Sequence, residues 1–262
     1  MIRHQLALRL DPDQAIRDQV YEAARLGARG VVLDAIGDLA PHRLSETGRR
    51  ELRHLLRTVE LSLTAVSLPT RRPFDTTDQL DDRMRRADAV FAMAFDLGTG
   101  LVLTSAGALP PKEDAPRREA FTHAVRELGG RADHRGVRLA LETGAEPADE
   151  LNAFLVDLGS PSLGVSIDPS RGMQANIDPV ASVRTLAEWV AHAYAGDAPG
   201  FARVQGSARR GSDGPARALD WEEYLGALEE IGYRGFLTVW PASGQPAAVA
   251  FTAVHDRLGR LS

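Results

Sequence analysis

The sequence predicts an α/β protein built as a single (β/α)8 TIM barrel over residues 1–262, and three observations carry the prediction. Eight short β-branched or leucine-rich runs recur along the chain, and segments of helical period separate them. The length of 262 residues suits one barrel, which typically takes about 250 residues.

The strand-like runs are, in order, QLALRL (5–10), GVVLDA (30–35), LSLTAVSLP (61–69), LVLTSAG (101–107), VRLALETG (137–144), LGVSID (163–168), VAHAYAGD (190–197) and FLTVW (236–240). Between them, DQAIRDQVYEAARLG (13–27) and ETGRRELRHLLRTVE (46–60) repeat apolar residues at three- and four-residue spacing, as one face of a helix does. Glycine-containing stops in ARLGARG, ELGGRADHRG and EEIGYRG end helical segments ahead of strands. A doubly wound open sheet is the alternative. No glycine-rich phosphate fingerprint follows the first strand, and eight units are the number that closes a barrel. No internal repeat, linker or low-complexity tract divides the chain.

Two connections exceed the usual few residues: LPTRRPFDTTDQ (68–79) after the third strand and APGFARVQGSARRGSDGPARALDW (198–221) after the seventh. Both fall at the C-terminal face, where barrels of this kind keep their sites. They read either as functional loops or as plain surface insertions.

Apolar residues make up 44% and charged residues 26% of the chain, enough for a real core, and the net charge of −5 argues against nucleic acid and anionic membrane as partners. The absence of cysteine excludes disulfides, thiolate metal sites and cysteine nucleophiles. In MIRHQLALRLDPDQ the apolar run is short and Arg9 interrupts it, which does not match a signal peptide, and no run has the length of a membrane span. A cytoplasmic location is the default expectation. Lys112 is the only lysine, so positive charge is almost all arginine and a lone arginine carries little information.

Successive strand residues alternate faces, so each strand end can be read for what it points into the barrel mouth. Glu142 shares a face with Ala140, and Asp168 with Ser166. A carboxylate ending an apolar strand is costly unless paired or ligated. The pair reads as divalent-metal ligands or as an acid/base group. The bland reading is a buried ion pair with an arginine, or a cap on the following helix. Asp34, ending the second strand, reads as structural. His192 and Tyr194 share one face of the seventh strand, and Trp240 ends the eighth above Thr238. His192 fits a hydrogen-bonded filler better than a ligand, and Tyr194 and Trp240 can stack on a sugar or plug the barrel.

Over essentially its whole length, and most clearly from residue 137 onward, the chain resembles the xylose isomerase-like TIM-barrel superfamily of sugar isomerases and epimerases, which also includes endonuclease IV. LALETG resembles the segment that supplies a metal-binding glutamate. LGVSIDPSRG is similar to the one with a ligand aspartate and, three residues on, a histidine. AHAYAGD lies where the family has His-x-x-Asp or His-x-x-Glu, and LDWEEYLGALEEIGYRGFLTVW is similar to the closing segment. Carried over by position, Glu142 and Asp168 match two metal ligands. The ligand histidine falls on Tyr194, the final glutamate on Trp240, and the histidine after the aspartate on Arg171. His192 lies two residues deeper than the ligand position, about 6.6 Å along the strand, too far to replace it without a shift.

The resemblance implies proton transfer next to a carbonyl, with a divalent ion holding the enediolate oxygens. With two of four ligands replaced, the expectation is a barrel that binds a carbohydrate-like small molecule with a degenerate metal site. Tyr194, Trp240, His192, Arg171, Arg209 and Arg210 would contact the ligand. No tightly bound cofactor is expected, and Glu142 with Asp168 would hold Mg2+ or Mn2+ only weakly. Arg71 and Arg72 join Arg209 and Arg210 as candidate anion contacts. Two alternatives stand beside this reading. One is an active isomerase or lyase using Glu142 as its single base, with weak metal or an arginine as electrophile. The other is a scaffold barrel with no small-molecule site. The endonuclease branch needs a histidine-rich trinuclear zinc site and a basic surface, and the sequence has neither. The oligomeric state is not fixed by the sequence.

Overall fold

Eight parallel strands pair in chain order and close on themselves, β1 against β8, in a computed structural model that describes residues 5–143, 146–196, 219–242 and 244–261. The elements run β1 (Leu6–Arg9), α1 (Ile16–Arg25), β2 (Gly30–Asp34), α2 (Glu46–Thr58), β3 (Ser62–Leu68), α3 (Leu80–Leu97), β4 (Leu101–Thr104), α4 (Ala115–His134) and β5 (Arg138–Glu142). They continue with α5 (Ala148–Leu158), β6 (Leu163–Ile167), α6 (Pro169–Gln174), α7 (Pro179–Thr185), β7 (Val190–Tyr194), α8 (Trp221–Glu230), β8 (Leu237–Val239) and α9 (Ala247–Leu261). The expected (β/α)8 barrel is therefore the observed one. Each strand lies inside its sequence-predicted run, trimmed at the ends.

Alternation along the strands splits the apolar residues into two clusters. Val31, Leu33, Leu139 and Leu141 face outward and join Phe91, Phe121, Leu128 and other helix residues in the larger core between barrel and helices. Val32, Ala65, Leu103, Ala140 and Tyr194 face inward and fill the barrel itself. This interior layer is packed, as in other barrels, so the barrel is not a pore. The sites must lie above it.

Local signals set the helix ends. Ser45 caps α2 by accepting from Gly48 N, and Asp220 caps α8 by accepting from Glu223 N. Gly98 ends α3 in the left-handed region at φ 86°. The sixth unit differs from a single helix: Pro169 and Pro179 each start a short helix, with Asp168 and Asp178 as the caps. The loop after β3 crosses to the next unit, where Phe74 N donates to Ala106 O at 2.8 Å. Of the long loop after β7, only residues 219–221 lie among the described residues. No described helix is long and apolar enough to cross a membrane.

Candidate functional site

The last residue of β1 is Arg9, and the parity that turns Leu6 and Leu8 outward turns Arg9 into the barrel mouth, where it is 3% exposed. Its Nε donates to Asp34 Oδ1 at 3.0 Å, and its Nη1 donates to Glu142 Oε1 at 3.2 Å and to the Tyr194 hydroxyl at 2.6 Å. Its Nη2 donates to Ser67 Oγ at 2.8 Å and lies 2.9 Å from Asp34 Oδ1. One guanidinium thus ties the ends of β1, β2, β3, β5 and β7. Tyr194 completes the circuit by donating to Glu142 Oε1 at 3.0 Å. Trp240 covers it, with the guanidinium carbon 3.6 Å from its ring centroid and the Tyr194 ring stacked 5.6 Å away.

The charges are coupled through this contact. Burial opposes the charge on Arg9, but Tyr194, Asp34 and Glu142 outweigh it and hold the guanidinium protonated. Burial raises the Asp34 carboxyl above its ordinary value, against the pull of Arg9. Glu142 Oε2 makes no hydrogen bond among the described residues, and the side chain is 11% exposed, so this oxygen is the one left for the mouth.

Asp168 stands apart from Arg9. Its Oδ1 accepts from Ser170 N at 3.0 Å and Arg171 N at 3.3 Å, which is the helix-capping arrangement. Burial, opposed by Arg171 and reinforced by Glu142, pushes its pKa up to about 6. His192 is the hydrogen-bonded filler: Nδ1 meets Ser166 Oγ at 2.8 Å and Nε2 meets Thr238 Oγ1 at 2.7 Å. Burial, with Arg9 adding, pushes it down to about 3, so it is neutral. Both ring nitrogens are engaged inside the barrel, by Ser166 and Thr238.

The structure brings Glu142, Tyr194 and Trp240 together around Arg9. It sets Asp168 and Arg171 beside them and buries His192 below. Arg72 pairs with Asp78 on the outer loop, and Arg71 is exposed there. Arg209, Arg210 and Asp197 lie outside the described residues. The sequence reading missed Arg9, noted only as a break in an apolar run, and took Asp34 as structural without its partner. The signal was available: Arg9 has the same parity and strand-end position as Glu142.

These residues do not fit a divalent metal ion. Of the four positions the family pattern marks, Glu142 and Tyr194 are engaged with Arg9, Asp168 caps a helix, and Trp240 is a ring with no ligating oxygen. Among the described residues no three His, Asp or Glu side chains gather as a ligand set. A fixed guanidinium among the acids also repels a second cation.

A family model described as a xylose isomerase-like TIM barrel matches residues 20–253. No curated protein sequence matches the chain. Among solved structures, a xylose isomerase domain protein from Planctomyces limnophilus is 20% identical with a TM-score of 0.78, covering 98% of this chain and 96% of that one. D-Psicose 3-epimerase from Clostridium cellulolyticum H10, solved with D-tagatose, is 17% identical with a TM-score of 0.70, covering 96% and 91%. The probable 3-DHS dehydratase AsbF from Bacillus anthracis is 18% identical with a TM-score of 0.73, covering 97% and 98%. At these identities the likeness is one of fold.

Proposed function

The chain belongs to the xylose isomerase-like TIM-barrel family, and from that premise we propose that it binds a sugar-like small molecule at the C-terminal mouth without metal-dependent proton transfer. The observation that carries this reading is the Arg9 guanidinium held between Asp34, Glu142 and Tyr194 beneath Trp240. A divalent ion would have to displace an internal cation that already satisfies those acids.

What remains at the mouth suits a polyhydroxylated ligand. Trp240 is partly exposed and offers apolar ring surface to the C–H face of a sugar. Glu142 Oε2 and the second oxygen of Asp168 accept hydroxyl donors, and Arg171 supplies a cation beside Asp168. D-tagatose in the epimerase of the same fold is the precedent for the ligand class.

One observation favours a second reading, an isomerase or lyase with Glu142 as its single base. Arg9 and Tyr194 both bind Oε1, which fixes the carboxylate while leaving Oε2 to take a proton. Arg9 is not the electrophile for such a step, because its donors are engaged and it is buried.

Calorimetric titration with free and phosphorylated ketoses and aldoses, in chelator and in Mn2+, tests the proposal. Binding that persists in chelator and weakens in Trp240→Ala is the expected result. Binding only with metal overturns it, and no binding across the panel favours the scaffold reading. Isotope exchange into the bound sugar, lost in Glu142→Gln, would promote the second reading.

A further inference from the structure

We infer that Arg9 is the resident cation of this barrel, its guanidinium standing among the strand-end acids in place of a divalent ion. The inference rests on the mouth being the site, and not on which ligand occupies it.

The guanidinium reaches Asp34 at 2.9 Å, Glu142 at 3.2 Å, Ser67 at 2.8 Å and Tyr194 at 2.6 Å, so oxygens from four further strands converge on one positive group. Convergence of oxygens from several strands on one centre is what a bound cation demands. Here the centre is covalently part of β1. Its planar fork distributes donors in directions that a spherical ion need not respect.

The buried charges also depend on one another. Arg9 is 3% exposed, and a buried guanidinium is sustained only by partners that are themselves charged or hydrogen-bonded. Asp34 is 7% exposed, and among the described residues Arg9 is the positive group it pairs with. Two carboxylates therefore share one guanidinium, and Tyr194 links Glu142 to it by a second route. Trp240 covers the group, its ring centroid 3.6 Å from the guanidinium carbon, and it occupies the position where the family pattern places a ligating glutamate. Trp240 and Arg9 thus form a matched pair: the carboxylate that would draw in a metal is absent, and an aromatic face suited to arginine stands there instead.

Removing the guanidinium should uncover a cation site. In Arg9→Ala, Asp34, Glu142 and Tyr194 would face a void with uncompensated negative charge. The test is Mn2+ binding, read from the loss of the free-ion electron paramagnetic resonance signal, on the full chain. Wild type is expected to take up no Mn2+ at millimolar concentration. Arg9→Ala is expected to bind it at least about tenfold tighter than wild type, and the gain should disappear in Arg9→Ala/Glu142→Gln. Melting temperature gives a readout independent of metal: low-millimolar guanidinium should raise that of Arg9→Ala and not that of wild type, while sodium chloride should not substitute. Arg9→Lys retains a positive charge on a shorter stem, and it should fold and gain no Mn2+. It keeps the test open if Arg9→Ala cannot be purified.

The inference is overturned by stoichiometric, Glu142-dependent Mn2+ in wild type. A folded Arg9→Ala with neither Mn2+ gain nor guanidinium rescue overturns it too, as does an Arg9→Lys that binds Mn2+. Sugar binding by wild type is read in a separate titration, so failure of the ligand proposal and failure of this inference give different results.

Discussion

The guanidinium carbon of Arg9 lies 3.6 Å above the ring centroid of Trp240, so the end of β1 and the residue after β8 meet across the strand pair that closes the barrel. A cation stacked this closely on indole is held by the ring quadrupole as well as by its acids. The contact joins the two ends of the chain's barrel at the level where ligands of this fold bind. It makes the mouth a preformed assembly, with charge, hydrogen bonds and aromatic cover supplied by one layer of side chains.

Arg9→Met should be severely destabilising. It keeps much of the side-chain volume while leaving the buried Asp34 and the half-buried Glu142 without their cation. Breaking a buried pair from one side typically costs about 3–5 kcal/mol. Arg9→Met/Asp34→Asn should recover part of the loss, because one stranded charge is removed with its partner. Urea unfolding of both variants checks this, and equal loss in single and double variants would show that packing, not charge, holds Arg9 in place.

Tyr194→Phe separates the hydroxyl from the ring. The ring keeps its stack on Trp240 and its edge contact with His192, with centroids 5.6 Å and 4.6 Å away. The hydroxyl is lost from between Arg9 and Glu142. A buried donor and acceptor left short of partners cost about 1–3 kcal/mol. The same urea experiment should show a loss in that range, smaller than for Arg9→Met.

Much of this arrangement was legible in the sequence, and the illegible part has a physical cause. The eight strands could be read because buried parallel strands are short apolar runs between turn signals. Glu142, Tyr194 and Trp240 could be placed at the mouth by parity. Arg9 obeys the same parity rule, yet a chain whose positive charge is almost all arginine makes any one arginine look like surface. Which acid meets which arginine is decided by barrel closure, which brings residue 9 against residues 34, 142 and 194. No local pattern carries that pairing. For Asp168 the sequence offered ligand or cap, and Pro169 behind it was the local hint of a helix start that the cap fulfils.

Gly107→Ala should weaken the fold beside the mouth. Gly107 has φ +100°, and a methyl there would stand 2.4 Å from Pro73 Cβ, on the loop whose Phe74 is bonded to Ala106. Both the backbone conformation and the contact oppose a side chain, a combination worth about 1–3 kcal/mol. Thermal unfolding should show the drop with the Arg9 cluster unchanged. An unaltered melting temperature would mean that Pro73 and its loop yield freely.

The pH dependence of stability should expose Asp168 and His192 as opposed terms. The folded pKa of His192, about 3, lies below the ordinary 6.5, so the unfolded chain binds more protons between those values. His192 therefore contributes a loss of stability as pH falls below 6.5. The folded pKa of Asp168, about 6, lies above the ordinary 3.8, so the native protein binds more protons in that window. Its contribution is fully present below 3.8 and is lost as pH rises through 6. Between pH 4 and 6 the two slopes have opposite signs and largely cancel. Asp168→Asn keeps a helix-capping oxygen and removes one slope. Its stability should then fall more steeply on acidification than that of wild type, by up to about 1.4 kcal/mol per pH unit. Urea unfolding at half-unit steps from pH 7 to 4 measures the difference directly. Parallel profiles for wild type and Asp168→Asn would mean that Asp168 does not take up its proton in the folded barrel, and that the mouth is better hydrated around it than its burial indicates.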